Sequence, residues 1–98
     1  MNRVRFLEEA ETEFLQEVEY YATVQADGAG RFRTAVEEAA GRALVFPMAG
    51  PPYRSKTRRV FVRGYPFFLV YRPDAEGIAI LAVVHGARRP GYWSTRAR

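Results

Sequence analysis

The sequence predicts an α+β domain in which a helical hairpin covers one face of a small antiparallel sheet, in the order β-α-α-β-β-β. Two observations predict it. Apolar residues recur at helical spacing through the first half of the chain, whereas the second half contains short alternating or apolar stretches separated by turn residues. A length of 98 residues suits one domain, and we expect residues 1–98 to form it.

A short strand opens the chain and is followed by a helix. Val4 and Phe6 alternate with arginines over residues 3–7, which is typical of a strand. From residue 8 the apolar spacing lengthens to three or four, which predicts a helix. Its glutamates, Glu13 among them, lie away from the apolar face, so we expect them in solvent. That face comprises Ala10, Phe14, Val18 and Tyr21.

A second helix is predicted after the break at Asp27-Gly28-Ala29-Gly30, and it ends near Pro47. The glycine motif resembles a phosphate loop only superficially, because it joins two helices rather than a strand to a helix. The alanines of the second helix allow the two helices to approach closely as an antiparallel hairpin. Its core face comprises Phe32, Val36, Ala39 or Ala40, and Ala43.

The remaining chain predicts a loop and three strands. Glycine and proline place a loop at 48–53, and residues 59–63 alternate as a strand with Val60 and Val62 on one face. The next strand covers 67–72, and the five residues 73–77 form a hairpin loop.

The last strand, 78–85, is the most apolar, so we place it centrally. Strict alternation puts Ala79, Leu81, Val83 and His85 on one face of it. Beyond it, proline and glycine exclude a long helix at the C-terminus.

Composition excludes several classes of protein. The absence of cysteine removes disulfide scaffolds, thiolate zinc sites and cysteine nucleophiles. The longest apolar run, 78–84, is far shorter than the roughly 18 residues of a membrane span. Six carboxylates between Glu8 and Glu19 do not fit a secretory signal. We therefore expect a cytoplasmic protein with no membrane partner.

Charge divides the chain into unequal halves. Residues 1–49 carry five arginines and nine carboxylates, a net −4, while residues 50–98 carry ten basic residues and two carboxylates, a net +8. The basic half attracts phosphate backbones or an acidic protein, or its arginines simply keep a small sheet in solution. Its densest part interleaves Arg54, Lys56, Arg58, Arg59 and Arg63 with Tyr53, Phe61 and Tyr65. Cations beside exposed rings suit RNA, although an acidic peptide would fit too.

One catalytic hypothesis follows from these residue types. RNA cleavage without a metal needs an acid, a base and cations for the phosphorane. His85, with an ordinary pKa of about 6.5, can be acid or base, and Tyr92 can act if nearby arginines lower its pKa. Arg63 and Arg88 or Arg89 would hold the phosphate. A lone histidine without cysteine predicts no metal site and no cofactor. Alternatively, His85 only bonds the backbone at a strand end.

The ordered motifs resemble the RelE/ParE superfamily of type II toxins. The resemblance covers essentially the whole chain, from Arg5-Phe6 and Tyr20-Tyr21 through Phe46-Pro47 and Tyr65-Pro66-Phe67. Its most specific part is the end, where the apolar strand finishes at His85 and is followed by Arg88-Arg89-Pro90 and Tyr92-Trp93.

This resemblance implies a growth-inhibiting toxin that forms a hetero-oligomer with a small antitoxin carrying an acidic tail. RelE-like members cleave mRNA on the ribosome without a metal, whereas ParE-like members inhibit DNA gyrase and generally lack the catalytic set. Carried over by position, the RelE-like set is Lys56, Arg63, Arg88 and Tyr92. The candidate catalytic residues are therefore His85, Tyr92, Arg63 and Arg88, and the candidate RNA-binding or partner-binding residues are Arg54, Lys56, Arg58, Arg59, Tyr71 and Arg89.

Three functions remain open at this point: a ribosome-associated endoribonuclease, which we favour, a non-enzymatic gyrase inhibitor, and a degenerate module that only binds its antitoxin. The charge pattern also predicts how the antitoxin binds. An amphipathic helix and an extended segment would cover apolar side chains, and their carboxylates would approach Arg54, Arg59 or Arg63.

Overall fold

A computed structural model describes residues 2–88 and 90–97, and in it two helices pack on one face of a five-stranded sheet. This confirms the predicted α+β fold. Among the described residues no helix is long and apolar enough to cross a membrane. The elements are β1 (Arg3–Phe6), α1 (Glu8–Val24), α2 (Gly28–Val45), β2 (Pro52–Tyr53), β3 (Thr57–Val62), β4 (Phe67–Asp74) and β5 (Gly77–His85), with short 3₁₀ turns at Arg54–Lys56 and Ser94–Ala97.

The sheet is mixed rather than wholly antiparallel. Its strand order is β1-β5-β4-β3-β2, and β1 runs parallel to β5 while the other neighbours are antiparallel. The helical hairpin carries the chain across the sheet to β2, and the meander that follows returns β5 to the side of β1. The most apolar strand therefore lies inside the sheet, as predicted.

Both helices bury the faces that their spacing predicts. Ala10 and Phe14 of α1 are buried, with Val18 and Tyr21 packed at the margin. The rings of Phe14 and Phe32 lie 6.1 Å apart between the helices. The buried residues of α2 include Phe32, Val36, Ala39, Ala40 and Ala43.

Two predicted loops are shorter in the structure. Tyr53 pairs with Thr57, so the end of the predicted loop 48–53 forms strand β2. The five-residue hairpin is also wrong, because Asp74 pairs with Gly77 and only two residues turn between them. The Asp74 carboxylate stabilises this tight turn: its Oδ1 accepts the Glu76 N–H at 2.9 Å, and its Oδ2 bonds the Arg5 guanidinium.

A bulge in β5 breaks the predicted alternation. Val70 pairs with Ala82 and Tyr71 pairs with Ile80, so Leu81 is an extra residue in the strand. Ile78, Ile80 and Val83 consequently face the helices, whereas Ala79, Leu81, Ala82 and Val84 face the other side. The prediction that His85 shares a face with Ala79 and Leu81 is therefore wrong, since one inserted residue reverses every later side chain.

Candidate functional site

The sheet face opposite the helices is covered by the chain's own C-terminal segment. Trp93 is 0% exposed and packs with residues of β4 and β5, including Val70 and Leu81. Its ring lies 5.6 Å from that of Tyr53, which joins the segment to β2. The middle of this face is therefore filled with side chains of the chain itself.

Glu13 of α1 holds this segment in place. Its Oε1 accepts hydrogen bonds from the Val83 N–H and from Arg96 Nη1, both at 3.0 Å. Its Oε2 accepts from the Tyr92 hydroxyl at 2.7 Å and from Arg96 Nη2 at 3.2 Å. The Glu13 side chain is only 15% exposed, so the prediction that it lies in solvent is wrong.

The same bonds complete an unpaired edge of the sheet. β1 pairs with β5 only as far as Ile80, so the next residues of β5 have β4 on one side and no strand on the β1 side. Arg96 Nη1 donates to the Leu81 carbonyl oxygen at 3.1 Å, and Glu13 accepts the Val83 N–H. Side chains thus satisfy backbone groups that a strand would otherwise bond.

Tyr92 is a proton donor in this network. Burial and the hydrogen bond to Glu13 raise the pKa of Tyr92 well above its ordinary value. The guanidinium carbons of Arg88 and Arg96 lie 4.2 and 5.2 Å from the centre of its ring. The condition set for a catalytic Tyr92, a pKa lowered by arginines, is therefore not met: Arg88 and Arg96 do lower the pKa, but burial and Glu13 outweigh them.

His85 ends β5 on the helix side of the sheet. Its ring meets Phe67 edge-on at 5.0 Å, and its Nδ1 accepts the Ala87 N–H at 3.0 Å. Phe67 belongs to the core between helices and sheet, whereas Tyr92 packs against the opposite cluster. The His85 and Tyr92 rings therefore pack on different faces of the sheet, while the Tyr92 hydroxyl reaches the strand edge at Glu13 and Val83. His85 bonds the backbone at a strand end.

The two predicted phosphate-binding arginines also lie apart. Arg63 follows β3, is 73% exposed and places its Nη1 3.6 Å from Glu38 Oε2 on α2. Glu38 also accepts a hydrogen bond from Arg42 Nε at 2.6 Å, which lowers the pKa of Glu38. Arg88 instead covers Tyr92 on the other side of the molecule. The four predicted catalytic residues do not converge on one centre.

Of the basic residues between positions 54 and 63, some hold neighbouring parts of the chain in place and others are exposed. Arg58 Nη1 donates to the Gly50 carbonyl oxygen at 2.6 Å and so braces the preceding loop. The Arg59 guanidinium carbon lies 4.6 Å from the Tyr53 ring centre. Arg54 and Lys56 are exposed, and Lys56 has a positive φ of 61°, a conformation that L-residues rarely adopt.

Tyr71 and Arg89 are the remaining predicted binding residues. Tyr71 is 1% exposed and its hydroxyl donates to the Pro47 carbonyl oxygen at 2.9 Å, while burial raises its pKa. Tyr71 thus contributes to the wall of a groove beside Gly50 with its hydroxyl already bonded to the backbone, and its binding role stays a prediction. Arg89 lies outside the described residues.

Sequence reasoning missed Glu13 and Arg96 as partners and Trp93 as a core residue. One signal was available for Glu13, which follows Ala10 by three positions and therefore lies beside the apolar face of α1. Nothing local links Glu13 to Arg96, 83 residues later.

A helical hairpin on a meander sheet is the architecture that the sequence resemblance implied for type II toxins. The family model described as ParE toxin of type II toxin-antitoxin system, parDE, matches residues 4–90. Two proteins named Toxin ParE2, from Mycobacterium tuberculosis strains CDC 1551 / Oshkosh and ATCC 25618 / H37Rv, are each 29% identical over 89 residues, which is 90% of this chain and 85% of theirs. The chain belongs to the ParE family of type II toxins, and this membership implies a cognate antitoxin as its partner.

Proposed function

We propose that this toxin arrests bacterial growth by binding DNA gyrase, without breaking a bond itself. The observation that carries the proposal is the C-terminal segment, which fills the sheet face opposite the helices with Trp93 and fixes the Tyr92 hydroxyl on Glu13. Gyrase as the target comes from the resemblance to ParE-like toxins. This reverses our preference from the sequence, which was mRNA cleavage.

The positions of the candidate acid and base support a binding mechanism. General acid–base cleavage of RNA requires two proton-transfer groups on either side of one phosphate. The rings of His85 and Tyr92 pack on opposite faces of the sheet, and the Tyr92 hydroxyl donates its proton to Glu13 with its pKa raised. A toxin that inhibits its target by binding alone needs neither His85 nor Tyr92 to transfer a proton.

A supercoiling assay with purified gyrase tests the proposal. We expect the wild-type toxin to inhibit supercoiling in proportion to its concentration, and His85→Ala and Tyr92→Phe to inhibit within about threefold of wild type, an energy difference below about 0.7 kcal/mol. Circular dichroism and thermal unfolding establish that each variant is folded.

Uninhibited supercoiling would contradict the proposal, and a second assay would then identify the function. Unimpaired supercoiling, together with mRNA cleavage in a translating extract that His85→Ala abolishes, would establish the ribonuclease instead. Unimpaired supercoiling with intact mRNA and normal growth would leave a module that only binds its antitoxin.

A further inference from the structure

The edge of the sheet formed by β1 is open along its outer side. The Arg3 and Leu7 N–H groups each donate to a carbonyl oxygen on the β5 side at 2.9 Å, so these residues turn their backbone groups inward. Successive residues of a strand point their N–H and C=O groups to opposite sides, so those of Val4 and Phe6 point outward. Among the described residues no strand pairs with β1 on this side. An unpaired edge of this kind can accept a further strand.

An apolar pocket of about 260 Å³ lies directly beside this edge, between β1 and α2. Val4 and Phe6 form its β1 wall on the helix side of the sheet, and both are only partly buried. Its other walls are mainly apolar side chains of α1 and α2, namely Phe14, Val36 and Ala40. The outward backbone groups and the apolar side chains therefore form one continuous surface, and such a surface on a small protein indicates a binding site.

The two arginines of β1 are drawn back from the open edge by carboxylates. The Arg5 side chain reaches over β5 to bond Asp74 at the end of β4. Arg3 Nη2 lies 3.4 Å from Glu76 Oε1, in the turn before β5. Each arginine is therefore paired on the side away from the edge, so a second β1 strand can approach without two uncompensated cations meeting.

Opposite charges beside the pocket make this surface complementary to itself. Glu37 of α2 lines the pocket. Arg33, one turn earlier on the same helix, places its guanidinium carbon 5.3 Å from the centre of the Phe14 ring, which also lines it. About a two-fold axis each residue meets the other member of its pair in the second copy, so Arg33 of one chain is presented to Glu37 of the other. An acidic partner would instead meet Glu37 beside arginines that are already paired.

We propose that two copies of this chain pair through β1, antiparallel about a two-fold axis at Arg5. Val4 of one copy and Phe6 of the other then form hydrogen-bonded pairs, and the two pairs exchange four N–H to C=O bonds. Their side chains lie next to each other on the helix side and cover the mouths of both pockets. The two sheets become one continuous sheet. The pairing strand is short, so we expect a dissociation constant of about 10 µM. The dimer is independent of the gyrase proposal.

The wild-type toxin, purified without its antitoxin, provides the direct test. In sedimentation equilibrium its mass should rise from one chain to two as the concentration passes through about 10 µM. In a sample mixed from isotope-labelled and unlabelled copies, a filtered NOE experiment should show the Val4 methyl groups of one copy against the Phe6 ring of the other. A toxin that stays monomeric at about 200 µM, or a dimer without these contacts, would overturn the proposal. This measurement does not depend on whether any variant folds.

Paired variants separate the backbone bond from the side chain. Val4→Ala shortens the side chain and keeps the N–H, and we expect it to raise the dissociation constant of the dimer about tenfold. Val4→Pro also removes the outward N–H, which an edge strand tolerates, and we expect a rise of about 100-fold or more. Val45→Ala removes an exposed valine from the far end of α2 and should leave the dissociation constant within about twofold. Circular dichroism establishes that each variant is folded.

Three results with these variants would contradict pairing through β1. One is an equal dissociation constant for Val4→Pro and Val4→Ala, which would show that no backbone bond crosses the interface. Another is loss of the dimer in Val45→Ala, which would place the contact at the other end of α2. The third is a Val4→Pro protein that still dimerises but no longer binds its antitoxin, which would assign the β1 edge to the antitoxin.

Discussion

Glu13 is the residue on which the C-terminal segment depends. Its two carboxylate oxygens accept four hydrogen bonds, from the Val83 N–H, the Tyr92 hydroxyl and two nitrogens of Arg96. A carboxylate that is mostly buried and fully bonded is costly to alter, because its partners lose their acceptor together.

We therefore expect Glu13→Gln to lower the free energy of unfolding by about 3 kcal/mol, since the amide nitrogen has no acceptor among these donors. Urea unfolding measures the change. Glu11→Gln, at an exposed position of the same helix, is the control and should change stability by less than about 0.5 kcal/mol. Equal effects of the two substitutions would contradict the role of Glu13.

Tyr92 makes stability sensitive to alkaline pH. Burial and Glu13 raise its pKa in the folded state above the unfolded value of about 10. The unfolded chain therefore loses this proton first, so the stability from Tyr92 is complete below pH 10 and declines as pH rises towards the folded pKa. Thermal unfolding between pH 8 and pH 11 should show a steeper decline for wild type than for Tyr92→Phe.

The comparison isolates Tyr92 because Tyr21 and Tyr71, whose pKa values burial also raises, are present in both proteins. Parallel curves for wild type and Tyr92→Phe would show that the Tyr92 hydroxyl is not bonded as the structure has it.

Among the secondary-structure elements, the close contact of α1 with the start of α2 depends on one glycine. A Cβ on Gly28 would lie 2.1 Å from the Tyr21 carbonyl oxygen, whereas a Cβ on Gly30, in the same turn of α2, would meet nothing within 4 Å. Gly28→Ala must therefore separate the helices.

We expect Gly28→Ala to destabilise the protein by about 2 kcal/mol through overpacking. Gly30→Ala should stabilise it by up to about 1 kcal/mol, because alanine is the better helix former. Chemical denaturation of both variants provides the test, and a destabilising Gly30→Ala or a neutral Gly28→Ala would refute this packing.

The elements also show what local sequence can predict. The apolar faces of α1 and α2 and the alternation of Val60 and Val62 were predicted correctly, because periodicity reports directly which side of an element is buried. The bulge at Leu81 was not, since it exists only through the register of β5 against β4. The face predicted for His85 was wrong for the same reason. The Glu13–Arg96 pair was missed because it joins residues far apart in the chain.

For the molecule as a whole, the unequal charge of its halves should govern how it meets its antitoxin. The net +8 of residues 50–98 includes Arg59 of β3 and Arg63 just after it. We expect the association rate with the antitoxin to fall about tenfold between 0.05 and 0.5 M salt, because screening weakens electrostatic steering. Stopped-flow kinetics measures this, with Arg3→Gln on β1 as a control for charge removed elsewhere. A rate independent of salt would exclude an acidic partner segment.

The most direct test of the mechanism is genome-wide mapping of RNA 5′ ends minutes after this toxin is induced alone in a bacterial host. A toxin that acts by binding gyrase arrests growth and leaves mRNA intact, with plasmid supercoiling reduced in the same cells. New 5′ ends inside translated reading frames, appearing before any change in supercoiling, would contradict a binding mechanism and return His85, Arg63 and Tyr92 to a catalytic role.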